Sequence, residues 1–157
     1  MKTKEELMSM SADEFDKYMC QTYPEMFINR NLPMSQTCMC WGFCIGKGWY
    51  SVLDSLCSEI KLIQKTTGII VIFDQIKEKY GGARFYCHVD TEKSILSKEE
   101  TSTWDKIIDT LVSYAESKCD YICASCGKDR YEIISIGGWT YDECSECLKK
   151  DKGGRTT

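Results

Sequence analysis

One stretch of the chain, residues 69–89 (IIVIFDQIKEKYGGARFYCHV), constrains the fold more than any other because it predicts a β-hairpin. Its first half is rich in β-branched and aromatic residues, and its second half alternates apolar and polar side chains. Gly81-Gly82, between the two halves, can supply the positive φ angles of a two-residue turn. Because an isolated hairpin is marginally stable in water, other parts of the chain must cover its apolar face.

The predicted turn decides which residues lie opposite each other on the polar face of the hairpin. With the two glycines at its centre, Lys79 pairs with Arg84 and Lys77 pairs with Tyr86. Two cations directly opposite each other repel, which favours an anion close by. The face therefore indicates either a binding site for a phosphate-like group or an ordinary solvated face of an antiparallel sheet.

If the face binds a ligand, the residue types predict a nucleotide-like anion. Lys77, Lys79 and Arg84 are suited to meet phosphate, and Tyr86 or Trp49 offers a ring for stacking. The candidate ligand-binding residues are therefore Lys77, Lys79, Arg84, Tyr86 and Trp49.

Length and charge limit the classes of function. The chain has 157 residues, 43% of them hydrophobic, which suits one domain with a core of its own. Its net charge of −4 and pI near 5.1 argue against bulk nucleic-acid binding through electrostatics, so any basic surface must be local.

Nothing in the sequence predicts a membrane segment or a signal peptide, so we expect a soluble, cytoplasmic protein that has no membrane partner. The oligomeric state stays open. Eleven cysteines in a compartment that keeps thiols reduced are better explained by metal ligation and burial than by disulfides.

Caps and apolar spacing predict one or two short N-terminal helices, which end before Pro24, and two longer helices. The pairs Thr3/Glu6 and Ser11/Glu14 each have capping-box spacing and predict short N-terminal helices. An amphipathic helix follows over Trp49–Thr66, with Gly68 as its stop, and another over Trp104–Lys118.

The segments between these helices are predicted to be irregular. Residues 23–48 contain both prolines and no sustained apolar period, so we expect a loop with a short strand near residues 40–45. Residues 91–103 form a polar connector in which Ser97 and Glu100 again have capping-box spacing.

Together these features predict an α+β fold. An antiparallel hairpin or small sheet is covered by the two amphipathic helices, and a zinc ribbon or treble-clef-like segment follows. We expect an α+β domain over residues 1–118, a zinc-binding segment packed on it over residues 119–150, and a flexible tail over residues 151–157.

Two CxxC pairs give the strongest chemical signal in the chain. Cys123 and Cys126 form the first pair and Cys144 and Cys147 the second, at a spacing typical of a four-thiolate zinc site. The intervening residues predict a small hairpin that brings the pairs together. Because four protein ligands leave no open position, we expect one structural Zn²⁺ per chain.

A looser cluster of cysteines gives a weaker signal. Cys38, Cys40 and Cys44 can in principle form a second metal site with His88. The spacing lacks the geometry of a knuckle, and cysteine is often a small buried residue, so we favour no metal there.

No catalytic pattern stands out. The chain has one histidine and no nucleophile elbow, Walker-type loop or deaminase-type zinc motif. We therefore expect a protein that is not an enzyme.

With these motifs in view, the chain resembles a widespread family of small proteins from phages, prophages and bacterial mobile elements, to which no activity is assigned. The resemblance covers about residues 23–147. It is carried by Tyr23-Pro24, Gly46-Lys47-Gly48-Trp49, KEKYGGARFY over residues 77–86, the Cys123 and Cys144 pairs, and Gly137-Gly138-Trp139. Two positions depart from the family pattern: Lys47 stands where an acid is usual, and Cys147 where a histidine is common.

The resemblance implies a phage-type accessory protein that acts by binding in the cytoplasm of the host cell. Our leading hypothesis is a non-enzymatic, zinc-stabilised protein that captures a host protein or a nucleotide ligand and so inhibits a host defence process. The alternative is a nucleic-acid-binding zinc-ribbon adaptor. Binding that weakens steeply with salt distinguishes the second from the first.

Overall fold

The computed structural model of the chain describes residues 1–153. The helices are α1 (Lys4–Met8), α2 (Ala12–Thr22), α3 (Tyr50–Thr67), α4 (Lys98–Asp120) and α5 (Ser145–Gly153), and the strands are β1 (Phe43–Cys44), β2 (Val71–Lys79), β3 (Gly82–Val89), β4 (Ile134–Ile136) and β5 (Trp139–Tyr141). The predicted α+β class is confirmed. Among the residues described, no helix is both long and apolar enough to cross a bilayer.

Side-chain caps at positions with capping-box spacing start three of the helices. The side chains of Thr3, Ser11 and Ser97 each accept a hydrogen bond from the backbone N–H three residues on, and the carboxylate of the glutamate at that position accepts one from the backbone N–H of the cap residue. Gly68 ends α3 in the left-handed conformation, with φ of 81°. Helix α4 begins six residues earlier than its apolar stripe indicates, at the Ser97 cap.

The central sheet has three strands in the order β1-β2-β3. Strands β2 and β3 form the predicted hairpin, and β1 pairs with β2 in parallel at Phe43 and Cys44. The short strand expected near residues 40–45 is thus confirmed. It gives β2 a partner on both sides, which leaves β3 as one edge.

The turn of the main hairpin differs from the prediction by one residue. Its central residues are Tyr80 and Gly81, with φ of 54° and 77°, and Gly82 belongs to β3. Lys77 therefore lies opposite Arg84, and Lys79 lies opposite Gly82. The predicted pairs Lys79–Arg84 and Lys77–Tyr86 are wrong.

A hydrogen bond within the turn supports this register. The carboxylate of Glu78 accepts a hydrogen bond from the backbone N–H of Gly81 at 2.6 Å and so supports the turn at Tyr80 and Gly81. Each pairing moves by two residues, so every side chain near the turn keeps its predicted face. A β-bulge at Asp74 then shifts the register along the remainder of the strand.

Helix α4 covers the exposed edge of β3. The carboxylates of Glu116 and Asp105 accept hydrogen bonds from the backbone N–H groups of Phe85 (2.7 Å) and Val89 (2.8 Å). An edge strand with free N–H groups invites pairing with another chain. These two acids satisfy such groups, and the helix shields the edge.

The core lies between the sheet and the helices and contains a buried polar cluster around Asp54. The rings of Phe15 and Tyr50 stack at 3.6 Å between centroids. Nearby, the carboxylate of Asp54 is buried and accepts hydrogen bonds from the hydroxyls of Tyr23 (2.7 Å) and Tyr18 (3.1 Å). The chain thus satisfies a buried acid with two tyrosines.

The C-terminal segment, residues 119–150, contains the predicted second hairpin, β4 and β5, joined by Gly137-Gly138. Helix α5 begins between the last two cysteines and continues to Gly153. The first three residues of the expected flexible tail are therefore helical, and its residues 154–157 lie outside the described part of the chain.

Candidate metal centre and ligand-binding surfaces

The structure brings the four predicted ligands together. The sulfur atoms of Cys123, Cys126, Cys144 and Cys147 all lie within 4.8 Å of one another. The sulfurs of Cys126 and Cys144 are 3.8 Å apart. A tetrahedral ion with metal–sulfur bonds of about 2.3 Å places its ligands about 3.8 Å from each other. The cluster can therefore hold a metal ion, and its dimensions are compatible with zinc.

Local secondary structure explains how the pairs converge. Cys123 and Cys126 lie in a turn that ends at Gly127, with φ of 68°, and the second pair lies at the start of α5. This order of knuckle, hairpin and helix is consistent with the predicted zinc-ribbon or treble-clef-like segment. The backbone N–H of Ala124 donates to the carbonyl oxygen of Asp142 at 2.9 Å and joins the two halves of the site.

Hydrogen bonds from the backbone stabilise the anionic form of two of the ligands, Cys123 and Cys144. The N–H groups of Cys126 and Cys144 point to the sulfur of Cys123, at 3.5 and 3.2 Å, and oppose the rise in its pKa that burial causes. A backbone hydrogen bond from Cys147 lowers the pKa of the Cys144 thiol to about 7. Thiolates are the form that binds metal, so the backbone favours loading of the site.

The Gly46-Lys47-Gly48-Trp49 motif packs directly against the cysteine knuckle. A Cβ atom at Gly48 would lie 2.1 Å from the carbonyl oxygen of Cys123, and one at Gly46 would lie 2.3 Å from that of Ala124. Only glycine permits this approach. The N–H of Gly48 donates to the carbonyl oxygen of Ala124 at 2.7 Å, which fixes the contact.

Trp49 is not a ligand-binding residue, and that prediction is wrong. Its side chain is wholly buried, and its indole N–H donates to the carbonyl oxygen of Ile122 at 2.8 Å, just before the knuckle. A buried indole must satisfy its donor, and here it does so by holding the C-terminal segment on the core. The ring is therefore not available for stacking on a ligand.

The remaining candidate residues share the polar face of the main hairpin. Lys79 and Tyr86 are exposed, and Lys77 and Arg84 are partly exposed. The amine of Lys77 lies 5.5 Å from the centre of the Tyr86 ring. Among the residues described, none of the three cations has a carboxylate oxygen within 4.0 Å.

Within the described residues, Cys38, Cys40, Cys44 and His88 are not gathered into one group. Cys38 and Cys44 are exposed, and the structure brings no third ligand near them within residues 1–153. His88 instead contacts the carboxylate of Asp74 at 2.7 Å.

Sequence reasoning missed a buried arginine that connects three elements. The side chain of Arg130 is 3% exposed and donates to the carbonyl oxygens of Asp120 (2.9 Å), Tyr141 (2.8 Å) and Gly81 (3.1 Å). These oxygens belong to the end of α4, to β5 and to the turn of the main hairpin. One guanidinium group thus fixes the two hairpins to each other.

It also missed a cleft of about 530 Å³ between the turns of the two hairpins. Its lining comes from Glu78, Lys79, Tyr80, Gly138, Trp139 and Thr140. The signal in the sequence was the aromatic residue next to each glycine turn, Tyr80 and Trp139.

Comparison of the chain with protein-family models, curated proteins and solved structures finds no match.

Proposed function

We propose that this protein is a non-enzymatic binding protein of the accessory kind that phages encode, stabilised by one structural zinc ion. One observation supports it most: Lys77 and Arg84 lie opposite each other with no carboxylate within 4.0 Å among the described residues. Like charges at directly opposite positions of a sheet are unfavourable, and here the amine of Lys77 lies against the Tyr86 ring while the guanidinium of Arg84 donates to the carbonyl oxygen of Ala83. A bound anion would remove that repulsion, so the face is suited to an anionic ligand.

The metal cluster supports a structural role for the zinc. Four thiolates complete a tetrahedral shell and leave no position for a water molecule or a substrate. The ion would hold the C-terminal segment in place, and through Arg130 and Trp49 it would support the main hairpin. Its contribution is then to the free energy of folding.

The ligand that we propose is a nucleotide or an acidic part of a host protein. Lys77, Lys79 and Arg84 would supply the positive charge, and Tyr86 an exposed ring. Capture of such a ligand in the host cytoplasm would inhibit a host defence process, as the resemblance to phage proteins implies. The overall negative charge of the chain confines this attraction to one face.

Native mass spectrometry and pull-down from host extract test this function. The variant Lys77→Ala/Arg84→Ala removes the opposed cations, and Lys98→Ala/Lys106→Ala removes two exposed charges from α4 as the matched control. We expect the wild type and the control to retain a ligand or partner that the first variant loses. Equal retention by all three proteins would contradict the proposal.

The dependence of binding on salt separates this function from the nucleic-acid adaptor. A protein that neutralises several phosphates loses affinity steeply as salt rises, by about tenfold or more between 50 and 200 mM. A contact with one small anion or one protein surface loses much less. A steep loss with an extended nucleic acid as the retained species would favour the adaptor instead.

A further inference from the structure

The cleft between the two hairpin turns has an aromatic ring on each of its walls. Tyr80 belongs to the turn of the main hairpin and Trp139 to the first position of β5, and both line the same cavity of about 530 Å³. Their side chains are 78% and 75% exposed. A cavity of this size falls within the usual range for small-ligand sites, roughly 300–1,000 Å³.

Tyr80 adopts a backbone conformation that its side chain disfavours. Among the residues described, it is the one non-glycine residue with positive φ, and turns of this type prefer Asn, Asp or Gly at that position. The ring is exposed, so it does not offset this cost by joining the core. A residue with a strained backbone in an exposed turn suggests a binding role, because stability alone would favour another residue type at that position.

Positive charge borders the cleft. Lys79 lines it, and its amine is 5.2 Å from the centre of the Tyr80 ring. Lys77 follows two residues along the same face, roughly 7 Å away, with Arg84 opposite it. The one acid of the lining, Glu78, uses its carboxylate to hold the N–H of Gly81.

The two walls are fixed relative to each other before any ligand binds. Arg130 joins the carbonyl oxygens of Gly81 and Tyr141, one from each hairpin. A Cβ atom at Gly81 would lie 2.7 Å from the Cγ2 atom of Thr140, so the hairpins meet closely at the base of the cleft. A cleft whose walls are already fixed loses less conformational entropy when a ligand binds than a cleft with flexible walls does.

We infer that this cleft binds a flat aromatic base that carries phosphate. The base lies between Tyr80 and Trp139, and the phosphate meets Lys79 and then the pair Lys77 and Arg84. This inference rests on the proposed function and deepens it, since it names the ligand chemistry and adds two residues to the site. A free nucleotide and the end of a single strand both have this chemistry.

The indole N–H signals of ¹⁵N-labelled protein report binding residue by residue. The four tryptophans include Trp139 in the cleft, exposed Trp41 elsewhere on the surface, and buried Trp49. The probes are ATP, adenosine, inorganic triphosphate and a ten-residue oligothymidylate. We expect ATP or the oligonucleotide to shift the Trp139 signal and to leave the signals of Trp41 and Trp49 in place. We expect adenosine alone and triphosphate alone to bind at least about tenfold more weakly than ATP.

Two variants and a matched control test the role of the rings. Tyr80→Asn removes one ring and suits the turn, so it should weaken binding about tenfold while the unfolding midpoint stays equal or rises. Trp139→Ala should weaken binding similarly, and Trp41→Ala should not change it. A structural role for Tyr80 would instead lower the unfolding midpoint of its variant.

Several outcomes would overturn the inference. They are an unmoved Trp139 signal with both ATP and the oligonucleotide, wild-type affinity in Tyr80→Asn and Trp139→Ala, or adenosine that binds as tightly as ATP. The proposed function survives such a failure if Lys77→Ala/Arg84→Ala still loses the ligand or partner retained from host extract. If that retention is also unchanged, both the inference and the proposed function fail.

Discussion

The guanidinium group of Arg130 donates a hydrogen bond to the carbonyl oxygen of Gly81 at 3.1 Å, across 49 residues of sequence. The same group also holds the end of α4 and the end of β5, and it is almost completely buried. A buried charge needs compensation, and here three carbonyl oxygens provide it. The contact makes the C-terminal segment and the main hairpin one unit and fixes the cleft between them.

Replacement of Arg130 should therefore destabilise the protein. Arg130→Met leaves three carbonyl oxygens without their donor, and we expect a loss of about 2–4 kcal/mol in the free energy of unfolding. Arg130→Lys should recover only part of it, because an amine lacks the planar fork of donors. Urea unfolding measures both.

Lys128→Met is the control for that experiment. Lys128 forms an exposed ion pair with Glu146 at 3.6 Å, and such pairs contribute little, so the change should stay within about 0.5 kcal/mol. Equal losses for the Arg130 and Lys128 variants would show that the three carbonyl contacts do not stabilise the fold.

Loss of one metal ligand should unfold the C-terminal segment. In Cys144→Ser we expect the zinc to be lost and the free energy of unfolding to fall by more than about 3 kcal/mol, because metal binding is coupled to folding. Cys44→Ser makes the same chemical change at an exposed cysteine outside the cluster and should be neutral. Thermal unfolding with and without a chelator measures the difference. A chelator that lowers the midpoint of both variants equally would contradict the assignment.

Alkylation of the native protein should distinguish the cysteines by environment. Cys38 and Cys44 are exposed and should react first. Burial raises the pKa of Cys119 to about 12 and that of Cys57 well above its usual value, so both should stay unlabelled until the chain unfolds. Mass spectrometry of peptides locates the label. Protection of Cys38 and Cys44 by added zinc would instead reveal a second metal site.

The buried pair of Tyr23 and Asp54 should make stability depend on alkaline pH. Burial, and next the hydrogen bond to Asp54, raises the pKa of Tyr23 above its usual value near 10. In the unfolded chain this hydroxyl ionises at lower pH than in the folded one. Its contribution is therefore complete below about pH 10 and is lost as pH rises above that value.

Tyr23→Phe tests this linkage. At pH 7 the variant should be less stable by about 1–2 kcal/mol, because Asp54 loses a hydrogen-bond donor. Above about pH 10 its stability should fall less steeply than that of the wild type. Tyr131→Phe, at a side chain that is 91% exposed, should match the wild type at every pH. Parallel curves for Tyr23→Phe and the wild type would contradict the account.

Local signals were sufficient to predict much of this fold. The capping boxes at Thr3, Ser11 and Ser97 act within four residues, so the sequence contains the whole interaction. The spacing of the two CxxC pairs likewise predicted which cysteines converge, because two intervening residues allow one turn to direct both sulfurs to the same point.

The remainder depended on contacts between distant residues. The central pair of the turn could be Gly81-Gly82 or Tyr80-Gly81. The structure has the second, in which Tyr80 adopts a conformation that turn preferences disfavour. Trp49 at the start of a helix can face either solvent or core, and only the arrival of the knuckle at Ile122 decides this. Arg130 finds its three acceptors on elements that lie far apart in sequence.

The most direct test of this account is the mass of the wild-type protein measured under native conditions after purification without added metal. We predict one zinc ion per chain, held by the four cysteines of the C-terminal segment and lost when Cys123 is replaced by serine. A folded wild-type chain without metal, or one that keeps its zinc in the Cys123→Ser variant, would contradict the account.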